Sequence, residues 1–298
     1  MSSPEAFYAA AEMRLHVVDD ASIAVRTFGR GPALLLVHGF PVHGYTWRKL
    51  LPTLAARFTC FVIDLPGLGA SEWTPATDFT FTAQARRLGG LTKQLGLEAH
   101  GLIAHDTGAT VARLLALAQP SRVTSLALIN TEIPGHRPPW IRFHQRMSAL
   151  PGAGATFRLL LGLGWFARSS MALGEFYSDR ALFHEPGRLE PYLDPIVASP
   201  ARMDGMLRYL RGIEWPVVDA LREGHRRIEA PTLLLWGEDD KTFPADVAEP
   251  MARQFSPPAA FVRIQRASLM PHEERPEAVL AHLLPFLDAS QRARPHGV

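Results

Sequence analysis

The chain has 298 residues, enough to bury one large core, and its 47% hydrophobic and 20% charged content is that of a globular protein and excludes wholesale disorder. Lys and Arg number 31 against 29 Asp and Glu, and no basic run exceeds a pair such as Arg86-Arg87 or Arg226-Arg227, so nucleic acid is not an expected partner. A single cysteine, Cys60, excludes an intramolecular disulfide and a thiolate metal cluster, and its apolar setting between Phe58 and Ile63 marks it as a buried structural thiol.

The N-terminus lacks the basic start, apolar stretch and small-residue cleavage site of a secretory leader. Apolar runs such as residues 33–37 and 232–236 fall far short of the ~20 residues of a membrane span. The expectation is a cytoplasmic protein, monomer or homodimer, with no membrane partner.

In chain order, residues 22–27, 33–37, 59–63, 101–105 and 123–129 read as strands, with later strands at 232–236 and 260–264. Continuous runs such as Leu34-Leu35-Leu36-Val37 suit strands covered on both faces. Between them, residues 80–95 and 108–118 have helical apolar spacing, and Pro120 ends the second. Such alternation predicts a mostly parallel, doubly wound α/β sheet. It fails from about Pro134 to Arg227, a helix-rich stretch punctuated by Pro151-Gly152, Glu185-Pro186-Gly187 and Trp215-Pro216. The expected organisation is therefore a sheet domain formed by residues 1–133 and 228–298, interrupted by a helical cap over 134–227. The last eight or so residues read as a frayed tail.

Residues 101–109 run from strand through a tight corner, His105-Asp106-Thr107-Gly108, into a helix. A corner of this kind forces one side chain out at the carboxyl edge of the sheet, where open α/β sheets place their sites. That side chain is Asp106, and the Thr107 N–H opens the helix behind it. An aspartate before a helix is also a good N-cap, so the corner alone does not decide between the two roles. His38-Gly39-Phe40-Pro41 after residues 33–37 supplies a second donor, the Phe40 N–H, with His38 read as a structural support of the loop. Leu233 to Asp240 is a strand ending in acids, from which Asp240, with Asp239 as alternate, is the candidate to orient a histidine.

His38-Gly39-Phe40-Pro41, the run Asp64 to Ser71, His105-Asp106, Trp236-Gly237-Glu238-Asp239-Asp240 and Glu273-Glu274-Arg275-Pro276-Glu277 occur in an order that closely resembles the α/β-hydrolase superfamily, over roughly residues 20–290. The similarity is to its Asp-nucleophile branch, the epoxide hydrolases and haloalkane dehalogenases. The resemblance implies an α/β-hydrolase fold and a carboxylate that attacks an sp³ carbon to leave an alkyl-enzyme ester. A histidine-activated water then attacks that ester while two backbone N–H groups hold the oxyanion. No cofactor or metal is implied, and the remaining histidines show no metal-ligand spacing with acids.

Where the branch carries its histidine, this chain reads Ala267-Ser268-Leu269-Met270-Pro271-His272. Aligning the prolines puts Leu269 at the general base's place, and His272 lies three residues on, about 5 Å along a helix. The activating groups differ too. Thr107 and Phe40 stand where dehalogenases carry halide-binding side chains, and Thr107 and Thr110 where fluoroacetate dehalogenases carry arginines. The stretch Phe183 to Gly187 resembles an epoxide-hydrolase cap, but its two tyrosine positions fall on Asp179 and Leu210, with Tyr177 and Tyr209 nearby.

The expected site is thus Asp106, Asp240 and the substitute base His272, with Phe40 and Thr107 as oxyanion donors and Tyr177, Phe183, Tyr209 and Leu269 around a small apolar substrate. Three outcomes stay open: a hydrolase with recruited substitutes, a homologue turned to non-hydrolytic chemistry, and a ligand-binding protein without turnover.

Overall fold

The computed structural model describes residues 3–292; most of the expected tail lies outside the described residues. Nine strands form one sheet: β1 (Met13–Val18), β2 (Ala21–Phe28), β3 (Ala33–Val37), β4 (Thr59–Asp64), β5 (Glu72–Trp73), β6 (His100–His105), β7 (Val123–Ile129), β8 (Thr232–Gly237) and β9 (Ala260–Ile264). Their order is β1-β2-β4-β3-β6-β7-β8-β9, with β5 paired to β2. The pairs from β4 through β9 are parallel, whereas β2 is antiparallel to β1, β4 and β5. This is the expected mostly parallel, doubly wound sheet.

Alternation along each central strand divides the core in two. Leu35, Val37, Leu102, Ala104 and Leu128 face the helices Phe81–Gln94 and Thr107–Ala118. Leu34, Leu36, Cys60, Ile103 and Ile129 face the helices Leu51–Ala55 and Pro276–Arg292. Both faces are covered, which is why β3, β6 and β8 read as unbroken apolar runs. Each fully buried Leu or Ile contributes roughly 1.5–3 kcal/mol over an exposed one. Cys60 is buried at the middle of this packing, and burial pushes its thiol up to about 12.

Between β7 and β8 the described chain is helical, from Pro139–Ser148 to Trp215–Gly224 and a short turn beyond. This stretch covers the carboxyl edge of the sheet. One flank is pinned to the sheet domain by two consecutive acids. Glu273 accepts from the Tyr177 hydroxyl at 3.1 Å, from the Tyr192 hydroxyl, and from the Arg48 guanidinium at 2.9 Å. Burial alone would raise the Glu273 carboxyl, but Arg48 and the hydroxyls hold it below the ordinary range. Glu274 accepts from the Ser178 and Asp179 N–H groups at 2.8 and 3.0 Å and from the Ser268 N–H at 2.6 Å. The Met270 N–H completes the clamp by donating to the Phe176 carbonyl at 3.2 Å.

Candidate active site

The corner between β6 and the helix Thr107–Ala118 is strained. Asp106 has φ 50° and ψ −128°, a conformation that non-glycine residues seldom adopt. Its N–H is anchored by the Ile129 and Asn130 carbonyls, and its carbonyl accepts from the Ala109 N–H and the Thr131 hydroxyl. Two glycines permit the close fit. A Cβ at Gly39 would stand 2.4 Å from the Asp106 Cβ, and one at Gly108 would stand 2.1 Å from the His38 carbonyl oxygen. The Asp106 side chain makes no helix-capping bond. Instead Oδ2 accepts from the Phe40 N–H at 2.8 Å, and the Thr107 N–H at the start of the helix favours the ionised carboxylate. His38 supports the loop from behind: Nδ1 donates to the Gly39 carbonyl and Nε2 accepts from the Leu65 N–H, each at 2.8 Å.

Burial pushes the Asp106 carboxyl well above the usual carboxylate range, and the neighbouring Glu132 carboxylate pushes it further; the two N–H donors only partly offset this. Glu132 went unread. It follows β7 and is buried, with Oε2 accepting from the Thr110 and Thr131 hydroxyls at 2.6 and 3.0 Å. The buried Arg113 braces the same group by donating to Thr110, Thr131 and the Glu132 carbonyl.

Asp240 is buried, whereas Asp239 meets the Ser178 hydroxyl at the surface. The Asp240 carboxylate accepts from the Asn130 amide at 2.6 Å and from the Thr242 and Phe243 N–H groups at 2.7 and 3.1 Å. Burial still pushes it up to about 7. Asn130 was also missed. Its side chain ties Asp240 to the Gly237 N–H, but no sequence motif surrounds it.

A cavity of about 770 Å³ lies over Asp106, between sheet edge and cap. Phe40, Thr107, Glu132 and Leu269 line it alongside Asp106, and most of the remaining wall is apolar side chains of the cap. Leu269 thus stands in the wall over Asp106. The Leu269 carbonyl is fixed by the His105 ring at 2.9 Å.

His272 does not line the cavity. Its Nε2 donates to the Thr46 hydroxyl at 2.7 Å, and its ring packs against Trp47 and His105 at centroid distances of 4.8 and 4.6 Å. Burial pushes its basicity well below an ordinary histidine's. The expectation that it substitutes for the base is corrected on both counts, because a helical turn at Pro271–Glu274 carries its ring into the protein.

Two expected cavity residues are turned away for similar reasons. Tyr177 reaches Glu273, and Phe183 packs on the Tyr177 ring at 5.3 Å. Asp179, at the aligned tyrosine position, caps the helix Arg180–His184 through the Leu182 N–H. Tyr209 lies behind the lining, stacked on Phe40 at 5.8 Å with its hydroxyl 3.0 Å from the Thr107 Oγ1. Leu210 faces the cavity in its place. Of the cap histidines, His144 lines the cavity, with Nδ1 2.8 Å from the Trp140 carbonyl. His136 is bonded to the Thr242 carbonyl. Among the described residues no cluster of His, Cys, Asp and Glu could hold a metal ion.

Residues 32–276 match the α/β-hydrolase fold family. The chain belongs to that family. This hydrolase-fold chain is 30% identical over 261 residues to the magnesium-chelatase 30 kDa subunit of Rhodobacter capsulatus, covering 87% of each. It is 26% identical over 233 residues to epoxide hydrolase 4 of Homo sapiens, covering 73% of this chain and 62% of that one. The solved structure of the epoxide hydrolase CorEH superposes with a TM-score of 0.79 over 93% of this chain and 99% of that one. At 22% identity, that last likeness speaks for the fold alone.

Proposed function

We propose that this chain is an enzyme of the hydrolase family whose Asp106 attacks an electrophilic carbon of an apolar substrate, and that it does not complete the hydrolysis of the resulting ester. The observation that carries this reading is Leu269 in the cavity wall where the branch carries its histidine, with His272 bonded elsewhere. The Phe40 and Thr107 N–H groups, the strained corner and the epoxide-hydrolase relatives support the first half-reaction. The lack of a base beside Asp106 removes the usual support for the second, which is worth ~10²–10⁴-fold.

The ester then awaits a different fate in which its alkyl C–O bond breaks and the Asp106 carboxylate leaves: displacement by a nucleophile within the same substrate, or elimination in which the proton of the neighbouring C–H passes to the departing carboxylate. A cavity of about 770 Å³ suits a bulkier substrate than the small one expected from sequence, since drug-sized ligands occupy ~300–1,000 Å³. A second reading, ligand binding without turnover, is favoured by the burial and the Glu132 carboxylate, which raise the Asp106 carboxyl and so disfavour its nucleophilic form.

Intact mass spectrometry and peptide mapping after incubation with a panel of epoxides and alkyl halides separate these readings. A lasting adduct on Asp106, absent in Asp106→Ala, is the expected result. Repeated turnover to diol or alcohol without an adduct would overturn the proposal, and tight ligand binding with neither adduct nor product would assign the second reading.

A further inference from the structure

The cap presents a surface that the chemistry at Asp106 does not use. Of the eleven large hydrophobic residues exposed among the described residues, eight fall between Trp140 and Met171. Trp165, Leu159 and Met171 are 71, 68 and 67% exposed, far more than packing within a folded chain requires. Trp140, Phe143, Met147 and Met171 are at once exposed and part of the cavity lining. The apolar interior therefore continues through its mouth onto the outer surface.

Charge singles out the same stretch. Residues 133–174 carry five arginines and no Asp or Glu, within a chain of net charge +2, so the remainder is net negative. Arg137 and Arg168 are engaged by Asp219 and Glu190, and Arg158 donates to the Val197 carbonyl. Arg142 and Arg146 are exposed, one turn apart on the helix Pro139–Ser148, and have no carboxylate partner among the described residues. They stand next to Phe143 and Met147 in sequence, so cationic and apolar side chains share the rim of the mouth.

We infer that this face, the helix Pro139–Ser148 with Leu159, Trp165 and Met171 beside it, docks on the surface of an anionic lipid bilayer and draws apolar substrate from it into the cavity. Aromatic and aliphatic side chains flanked by arginine suit the headgroup boundary, where apolar insertion and attraction to anionic lipid act together. A second copy of the chain is a poorer occupant, because a two-fold contact would bring Arg142 and Arg146 of both copies into one interface. No helix among the described residues is long and apolar enough to cross a membrane, so the association is peripheral. The expectation of no membrane partner rested on the shortness of the apolar runs, and the inferred docking departs from it.

The test is flotation of the full chain with phosphatidylcholine vesicles, with and without phosphatidylglycerol, at low and high salt. Binding to the anionic vesicles at low salt, weakened by salt, with a blue shift of tryptophan emission, is expected. The double variant Arg142→Glu/Arg146→Glu should lose at least about 25-fold in partitioning, since each basic residue at an anionic surface counts for ~1 kcal/mol. Trp165→Ser/Leu159→Ser, at exposed sites outside the cavity lining, should weaken binding to both vesicle types without altering the melting temperature. Asp106→Ala should bind as the unaltered chain does, which separates this surface from the chemistry. Failure to bind anionic vesicles at low salt, or equal binding by the arginine variant, would overturn the inference. A dimer in sedimentation velocity that the apolar double variant dissolves, without vesicle binding, would reassign the face to a second copy.

Discussion

The corner at Asp106 and the end of β8 differ in what surrounds them. On the side of the proposed nucleophile, Asp106 sits at a strained corner with its Oδ2 held by the Phe40 N–H, and Gly39 and Gly108 permit the contact. At the end of β8, Asp240 and Asn130 form a bonded pair behind the cavity lining, while Leu269 stands in the wall where the branch carries its histidine. The difference shows that the parts set by backbone geometry and those set by one side chain can part company. The corner depends on many packed residues at once, whereas the base depends on one.

Removing the nucleophile tests the first half most severely. Asp106→Ala should abolish the adduct, as followed by mass spectrometry, since no carboxylate remains at the corner to carry it. Leu269→His tests the second half. With Asp240 and the oxyanion donors in place, it should speed release of the alkyl group by about 10²-fold or more, read in a single turnover in labelled water as unlabelled diol with the label retained in the Asp106 carboxylate. Release unchanged by this variant would mean that more than a side chain separates the halves. His272→Ala should leave adduct formation within about twofold while lowering stability by roughly 1–3 kcal/mol, because it empties a buried contact with Trp47 and His105.

The pH dependence sharpens the comparison from both sides. Asp240 is raised to about 7 in the folded chain, so the folded state binds its proton more tightly than the unfolded state. Its contribution is fully present below the unfolded carboxylate pKa of ~3.9 and is lost as pH rises toward about 7. Melting temperature should therefore fall across that window, and Asp240→Asn should flatten the fall. The smallest effect concerns Glu132. Its negative charge raises Asp106, and in the proposed reaction only the ionised carboxylate attacks. Glu132→Gln should move the rise of adduct formation with pH to lower pH.

The sheet was legible because its central strands are buried on both faces and announce themselves as apolar runs. β1 escaped because it is an edge strand with most of its residues half-exposed or exposed, and β5 because it is only two residues long. The corner and the Leu269 position were legible from motif order and spacing. Glu132 and Asn130 were not, since the parallel pairing of β6 with β7 is what brings the end of β7 beside Asp106. Nor could sequence tell that Tyr177 would turn to Glu273 and Tyr209 to Thr107, because helix rotation in the cap is set by partners far away in the chain.

The clamp that Glu273 and Glu274 place on one flank of the cap divides the molecule into parts that open at different free energies. Amides of Ser178 and Asp179, bonded to a buried carboxylate, should exchange with deuterium only in openings that also disturb the sheet domain. The helix Pro139–Ser148, with two residues buried out of ten, should exchange through smaller and more frequent openings. The cap is then two cooperative units sharing one cavity, and the one at the mouth can breathe while the other keeps Leu269 where it is.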